Sequence, residues 1–127
     1  MGRILIVDDD LVVGQTFARI LAVPGFAVTV VRSAAEGLDH ARRKLPDAVI
    51  LDFRMPVASG LSFLSTVRRD PALRELPVAI VTGDHFMDEH VLAELRALGA
   101  TVRFKPLYMQ ELIALATSLV ARNLPVS

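Results

Sequence analysis

The chain has no cysteine, no tryptophan and a single tyrosine among its 127 residues. The absence of cysteine excludes disulfide bonds, thiolate metal sites and cysteine nucleophiles. Fourteen basic and fourteen acidic residues cancel, so no overall positive field favours nucleic acid or an anionic membrane surface. No apolar run approaches the about 18 residues of a membrane-spanning helix. These absences exclude disulfide-stapled, thiol-dependent and membrane-spanning classes, and they argue against direct nucleic-acid binding.

The aliphatic content of the chain is sufficient for one core. Hydrophobic residues make up 53% of the sequence and aromatic residues only 6%, so Val, Ile, Leu and Ala must fill the interior. A chain of this length folds as one domain and buries about two thirds of its unfolded surface. Asp8 interrupts the apolar opening stretch too soon for a signal peptide. We expect a cytoplasmic domain over residues 1–122, a short tail over 123–127, and no output domain in this chain.

Five short apolar runs have the length and composition of β-strands, at residues 3–7, 27–31, 48–51, 78–81 and 101–104. Helix-spaced segments follow them at 11–22, 34–43, 60–69, 85–98 and 108–121. Nearly continuous apolar strands indicate a parallel sheet that is covered on both faces. Right-handed crossovers then give an open, doubly wound α/β sheet. The prediction is a five-stranded (βα)5 fold with strand order 2-1-3-4-5.

Four of the five predicted strands end at polar residues that could take part in chemistry. These residues are, in chain order, Asp8, Asp9, Asp10, Asp52, Thr82 and Lys105. Ligands of open α/β sheets bind beyond the carboxyl ends of the strands, so we expect these side chains to share one site. The second strand ends without such a group, and the predicted order places it at the edge of the sheet.

A cluster of carboxylates at one sheet edge requires a cation. At about 5 Å and an effective dielectric constant near 20, each pair of like charges costs roughly 3 kcal/mol. Lys105 offsets part of this charge, and oxygen ligands of high negative charge suit Mg²⁺. We interpret Asp8 and Asp9 as metal ligands, and Asp10 as the N-cap of the first helix.

Asp52 has the position of a nucleophile, directly after an apolar strand. A carboxylate placed in this way can attack phosphorus and form an acyl phosphate. The metal ion and Lys105 would neutralise charge on the phosphoryl oxygens during transfer, and Thr82 would donate its hydroxyl to one of them. Gly83 has no side chain, which leaves room for the phosphoryl group.

In order and spacing, these residues resemble the CheY-like receiver domain of two-component response regulators. The segments that carry the resemblance are Ile6-Val7-Asp8-Asp9-Asp10, Leu51-Asp52-Phe53-Arg54-Met55-Pro56 with Gly60, Val81-Thr82-Gly83, and Phe104-Lys105-Pro106. The resemblance covers essentially the whole chain and implies a flavodoxin-like fold.

The resemblance implies that Asp52 accepts a phosphoryl group. Asp8, Asp9, Asp52 and the backbone carbonyl of Arg54 would hold Mg²⁺, with Asp9 the more direct ligand of the acidic pair. The donor would be a phosphohistidine on a histidine kinase or a histidine phosphotransfer protein. The domain would catalyse its own phosphorylation and slow dephosphorylation, which is the role of a signalling domain and not of an enzyme.

The resemblance also implies how the modified site is read. Thr82 would swing toward the phosphoryl group and Lys105 would pair with it, next to a cis Lys105–Pro106 peptide bond. Receiver domains usually have an aromatic residue three positions before this lysine, and it rotates inward on activation. Here the position is Val102, and Phe104 points to the opposite face of the strand from Lys105. This departure argues against an output step in which an aromatic residue rotates inward. It does not affect the prediction of phosphorylation itself.

Arg54 and Asp84 occupy the positions that flank the attacking water in related receivers. A pairing of these two side chains across the site would slow dephosphorylation. The output surface of the family is formed by the fourth helix, the fifth strand and the fifth helix. A downstream output domain or protein would bind there, and a homodimer that forms on phosphorylation is a further candidate.

The function predicted is therefore a phosphorylation switch in a two-component phosphorelay, with two alternatives. One is a receiver module that signals by binding alone, with which Val102 agrees. The other is a small hydrolase of the haloacid dehalogenase kind, which forms an aspartyl phosphate. That family requires a second Asp two residues after the nucleophile, and this chain has Arg54 there. A flavin carrier is disfavoured because three consecutive aspartates would repel its phosphate.

Overall fold

Within residues 2–53 and 57–122, which the computed structural model describes, five parallel strands alternate with five helices. The strands are β1 (Arg3–Val7), β2 (Ala27–Val31), β3 (Ala48–Phe53), β4 (Val78–Thr82) and β5 (Thr101–Phe104). The helices are α1 (Leu11–Ala22), α2 (Ala34–Arg43), α3 (Val57–Arg69), α4 (Glu89–Ala97) and α5 (Met109–Arg122). The strand order β2-β1-β3-β4-β5 confirms the predicted doubly wound sheet. Arg54 and the expected tail 123–127 lie outside the described residues.

Alternate residues of the central strands face opposite helical layers. Leu5 and Val7 of β1 pack into a cluster with α2, α3 and α4, whereas Ile4 and Ile6 pack with α1 and α5. Every residue of β4 is buried. The sheet is therefore covered on both faces, which explains why its strands form nearly continuous apolar runs in the sequence. No helix of the described ranges is long and apolar enough to cross a bilayer.

Capping side chains determine where two of the helices begin. Asp10 Oδ1 accepts hydrogen bonds from the backbone N–H groups of Val12 at 3.0 Å and Val13 at 3.2 Å, so the predicted N-cap of α1 is confirmed. Ser33 Oγ accepts from the N–H of Glu36 at 3.1 Å at the start of α2. These bonds satisfy donors that the first turn of a helix leaves without an intrahelical partner.

Two helix boundaries predicted from the sequence are wrong. The fourth helix begins at Glu89 and not at residue 85, because the Asp88 carboxylate accepts from the N–H of His90 at 2.7 Å and caps the helix there. Aspartate side chains compete with helical hydrogen bonds in this way and favour turns and caps. The third helix begins at Val57, earlier than the expected start at residue 60. Because α4 begins at Glu89, the loop between β4 and α4 is longer than the sequence predicts.

Arg68, near the end of α3, joins the C-terminal end of α4 to the segment that enters β4. Its Nε donates to the carbonyl of Leu98 at 2.6 Å. Its Nη1 donates to the carbonyls of Leu76 at 2.6 Å and Arg74 at 3.0 Å. Burial lowers the pKa of Arg68, and the charge of Glu75 opposes that shift. Three carbonyl groups of two backbone segments are thereby held by one guanidinium group.

Gly37 of α2 lies against β1, and this contact sets a steric limit on the helix. An added Cβ would lie 2.9 Å from Cγ2 of Val7 and 3.2 Å from Cε2 of Phe63. We expect Gly37→Ala to lower the free energy of unfolding by about 1–3 kcal/mol, the usual cost of overpacking, although alanine has the better helix propensity. Urea unfolding measures this loss.

Ser118→Ala, at an exposed position of α5, is the control for that substitution. It should change the free energy of unfolding by less than about 0.5 kcal/mol. Equal effects of the two substitutions would contradict the close contact between α2 and β1.

Candidate functional site

Asp8 follows β1 at the carboxyl edge of the sheet and is fully buried. Its backbone N–H donates to the carbonyl of Val31, at the end of β2, at 3.0 Å. Its Oδ1 accepts from the backbone N–H of Asp10 at 2.9 Å. Its Oδ2 is buried and has no hydrogen-bond partner among the described residues. One oxygen of this carboxylate is therefore held in place, and the other is left for a ligand.

Asp52 lies in β3, one residue beyond the Leu51 that pairs with Val7 of β1. Its carboxylate is fully buried, and Nζ of Lys105 lies 2.6 Å from its Oδ1. This contact is an ion pair without the directional geometry of a hydrogen bond, so neither oxygen has a hydrogen-bond partner within residues 2–53 and 57–122. A buried carboxylate in that condition is costly. Such a group is suited to receive a cation or a reacting atom.

The two buried carboxylates affect one another. Burial raises the pKa of Asp8 to about 7, and the nearby carboxylate of Asp52 adds to the rise. The N–H of Asp10 and, to a smaller extent, the charge of Lys105 oppose it. Asp8 is thus close to half-protonated at neutral pH when no cation is present, and a divalent cation would favour its ionised form.

Thr82 is the last residue of β4 and is fully buried. Its Oγ1 accepts from the backbone N–H of Asp84 at 3.0 Å. A hydroxyl that accepts a hydrogen bond keeps its own proton to donate. The backbone N–H of Lys105 donates to the carbonyl of Thr82 at 2.8 Å, so the hydroxyl and the ammonium are fixed on neighbouring strand ends. An added Cβ at Gly83 would meet only Cδ of Lys105, at 4.0 Å, which agrees with the open space expected there.

The remaining predicted residues do not all join this cluster. Asp9 and Asp84 are exposed, and Val102 is buried in the core. The Lys105–Pro106 peptide bond is cis. Arg54, whose carbonyl was expected as a metal ligand, lies outside the described residues.

The donor set at the sheet edge fits Mg²⁺ through two carboxylates. In the described part of the chain, no three acidic, histidine or cysteine side chains are arranged to surround a metal ion. Asp8 Oδ2 and both oxygens of Asp52 are nevertheless buried without hydrogen-bond donors. Mg²⁺ is usually bound by one or two carboxylates and keeps several waters. The carboxylates of Asp8 and Asp52 therefore supply the minimum number of protein ligands that Mg²⁺ requires. Asp9 would have to turn inward to supply a third carboxylate.

Comparison with known proteins decides the family. The model of the response regulator receiver domain family matches residues 4–117. The chain belongs to this family. The transcriptional regulatory protein PrrA of Mycobacterium tuberculosis is 34% identical over 121 residues, which cover 95% of this chain and 51% of PrrA. The response regulator MprA of Mycobacterium avium is 33% identical over 123 residues, 97% of this chain and 53% of MprA. The receiver domain thus spans about half the length of these curated relatives.

Solved structures agree with this assignment. The chemotaxis response regulator CheY4 of Vibrio cholerae superimposes with a TM-score of 0.82 at 26% identity, over 94% of this chain and 98% of CheY4. A putative response regulator from Chloroflexus aurantiacus gives a TM-score of 0.83 at 30% identity, with the same coverage. The receiver fold inferred from the sequence is confirmed.

Sequence reasoning missed one contact beside the site. The ring of His85 stacks on the ring of Phe104, with centroids 5.6 Å apart and planes inclined by 26°. The two residues belong to different elements, and the erroneous helix start placed His85 in α4. The signal that could have found the contact is Asp88, whose capping role moves His85 into the loop.

Asp8→Asn should stabilise the metal-free protein at alkaline pH. The folded-state pKa of Asp8 is raised from 3.8 to about 7, so the native state holds an extra proton between these values. The contribution of Asp8 to stability therefore falls as pH rises through that range. At pH 8 without Mg²⁺, we expect the variant to exceed wild type by about 1–3 kcal/mol in the free energy of unfolding, and at pH 4 we expect no such gain.

Urea unfolding at the two pH values measures this difference. The control is Asp39→Asn, which removes an exposed carboxylate paired with Arg43 and should shift stability by less than about 0.5 kcal/mol at both. Added Mg²⁺ should stabilise wild type more than the Asp8 variant. A gain of the same size at pH 4 and pH 8 would show that the charge of Asp8 is not the cause.

Proposed function

We propose that this receiver domain is a cytoplasmic, phosphoryl-accepting switch of a two-component phosphorelay. A phosphohistidine on a histidine kinase or a histidine phosphotransfer protein would be the donor, and Asp52 the acceptor. The observation that carries this proposal is the buried Asp52 carboxylate, which has an ammonium 2.6 Å from one oxygen and no hydrogen-bond donor on the other among the described residues.

The geometry supports a direct displacement at phosphorus. Asp52 Oδ2 is the free nucleophile, because Oδ1 is paired with Lys105. A new O–P bond forms as the N–P bond of the phosphohistidine breaks, and the departing imidazole takes up a proton. The product is an acyl phosphate on Asp52, and its later hydrolysis returns the carboxylate and inorganic phosphate. These steps make the domain a substrate and catalyst of its own modification.

Charge neutralisation by the surrounding side chains favours the transfer. Asp8, Asp9, Asp52 and the carbonyl of Arg54 would hold Mg²⁺, which supplies a divalent charge to offset the phosphoryl oxygens. Lys105 supplies a further positive charge, in contact with Oδ1 of Asp52. The Thr82 hydroxyl can donate to a phosphoryl oxygen, since the hydrogen bond that it accepts from the N–H of Asp84 leaves its own proton available. Such preorganised groups are the main source of phosphoryl-transfer catalysis.

The phosphoryl group would act as a switch by adding about −1.5 to −2 charges at the sheet edge. A nearly complete change of population requires about 5.5 kcal/mol of differential interaction. New contacts to Thr82, Lys105 and the metal ion would supply it. The proposed output surface lies on α4, β5 and α5, next to the exposed side chains of Phe86, Tyr108 and Met109. A downstream output domain or protein, or a second copy of the chain, would bind there.

Asp84 and Arg54 remain the candidates for control of the adduct's lifetime. The Asp84 side chain is exposed at the mouth of the site, and its Oδ1 accepts from the N–H of Phe86 at 3.0 Å. One carboxylate oxygen is therefore occupied within its own loop. A pairing with Arg54 would use the other oxygen.

Acetyl phosphate with Mg²⁺ should phosphorylate the protein once. We expect a labile adduct in the intact mass, lost in Asp52→Ala and retained in Asp39→Ala, which changes an exposed carboxylate of α2. No adduct on wild type would favour the receiver that signals by binding alone. Rapid multiple turnover of phosphate esters would favour the hydrolase.

Lys105→Met should slow phosphorylation by about 10²- to 10³-fold, the usual effect of removing one charge-stabilising group from a transition state. The rate of adduct formation from acetyl phosphate, followed by intact mass, measures this loss. Arg103→Met is the control, because Arg103 is a neighbouring exposed cation of β5 that does not contact Asp52. A wild-type rate in Lys105→Met would contradict the role given to the ammonium.

A further inference from the structure

The loop between β4 and α4 is folded back on itself by two hydrogen bonds to side chains. The hydroxyl oxygen of Thr82 accepts from the N–H of Asp84 at 3.0 Å. The carboxylate of Asp84 accepts from the N–H of Phe86 at 3.0 Å. Both are turns in which a short polar side chain bonds to the backbone two residues ahead. The orientation of the Thr82 hydroxyl is therefore linked to the path of the whole loop.

His85, the central residue of the second turn, connects the loop to β5. Its ring stacks on that of Phe104, with 5.6 Å between centroids. Phe104 is directly opposite Thr82 in the sheet register. Its side chain packs against the core cluster that contains Val102. The exposed His85 thus rests on a partly buried ring that the core supports. Phe104 is also the single aromatic residue of β5.

The stack closes a ring of contacts around the acceptor site. Phe104 precedes Lys105, whose N–H donates to the carbonyl of Thr82 at 2.8 Å and whose Nζ contacts Asp52. From Thr82 the chain returns through the loop to His85 and again to Phe104. Thr82 and Lys105 are therefore connected to the two rings both through the loop and through β5.

We propose that His85 and Phe104 are positioning residues for the Thr82 hydroxyl. Their stack holds the loop against β5, which keeps the N–H of Asp84 on Thr82 Oγ1 and leaves the hydroxyl proton directed to the phosphoryl group. The same contact ties the occupancy of Asp52 to the loop that carries Phe86. This inference rests on the proposed function for its effect on phosphorylation. The effect on the Thr82–Asp84 hydrogen bond is independent of that function.

Two ring-removing substitutions and one ring-preserving substitution test the proposal. His85→Ala and Phe104→Leu remove the stack, and the leucine keeps most of the apolar volume below it. His85→Phe keeps a ring at the same position. The control is His90→Ala, because His90 is another exposed histidine, in the first turn of α4, outside the ring of contacts.

The first readout is the hydrogen exchange rate of the Asp84 amide, which needs no phosphorylation. An aromatic pair biases an equilibrium by about 2- to 12-fold. We expect exchange to accelerate by that factor in His85→Ala and in Phe104→Leu, and to stay at the wild-type rate in His85→Phe and His90→Ala. Unchanged exchange in His85→Ala, or no recovery in His85→Phe, would overturn the proposal.

The second readout is the rate of phosphorylation at varied acetyl phosphate concentration. Loss of the stack should lower the maximal rate by about 2- to 12-fold and leave the half-saturating concentration unchanged, since the proposed role of the rings is to orient Thr82 and not to bind the donor. The double variant His85→Ala/Phe104→Leu should be no slower than the slower single variant, because both changes remove one contact. Additive effects would overturn the proposal. Failure of wild type to accept a phosphoryl group would overturn the proposed function, and the exchange result would still decide the positioning role.

Discussion

The burial of two adjacent carboxylates is the constraint on which the rest of this receiver domain depends. Asp8 and Asp52 sit side by side at the carboxyl edge of the sheet, and Lys105 supplies the cation in contact with Asp52. Their apolar neighbours on β1 and β3 could not tolerate these charges in the interior of the sheet. At the strand ends, they lie next to Thr82 and the half-buried Lys105, where a cation or a phosphoryl group could offset their charge. The domain folds with these carboxylates buried, and three of their oxygens have no hydrogen-bond donor among the described residues. These oxygens are available to a ligand.

The sheet topology brings these charged groups together in one candidate site. In the order β2-β1-β3-β4-β5, the strands that carry Asp8, Asp52 and Thr82 are consecutive neighbours, and Lys105 follows the next strand. Parallel pairing places all four ends on one edge. The two helical layers bury both faces of the sheet, so in the described part of the chain the residues of the candidate site lie beyond the covered faces, at the strand ends. Function is thereby concentrated where the order of the strands changes direction.

The fold and the meeting of four polar side chains at one sheet edge were predictable because strand burial and strand termination are local in the sequence. Asp8, Asp52, Thr82 and Lys105 each follow or end an apolar run, and the structure brings them together. The exposure of Asp9 was missed because Asp8 and Asp9 were treated as one acidic pair, although adjacent residues at a strand end face different directions. The start of α4 was misplaced because the helical spacing of apolar residues continues back to residue 85, whereas Asp88 caps the helix and begins it at Glu89. The ring contact of His85 required a loop path that no local pattern specifies.

The hydrogen bonds of Arg68 give α4 two unequal ends. At the C-terminal end, the guanidinium holds the carbonyl of Leu98 together with those of Leu76 and Arg74. At the N-terminal end, the helix is connected to the sheet through a loop held by two short turns and one pair of rings. A displacement that begins at Thr82 would therefore rotate α4 about its Leu98 end, which the hydrogen bond from Arg68 holds in place. The first turn of the helix, which carries Glu89 and His90, would then be displaced farthest.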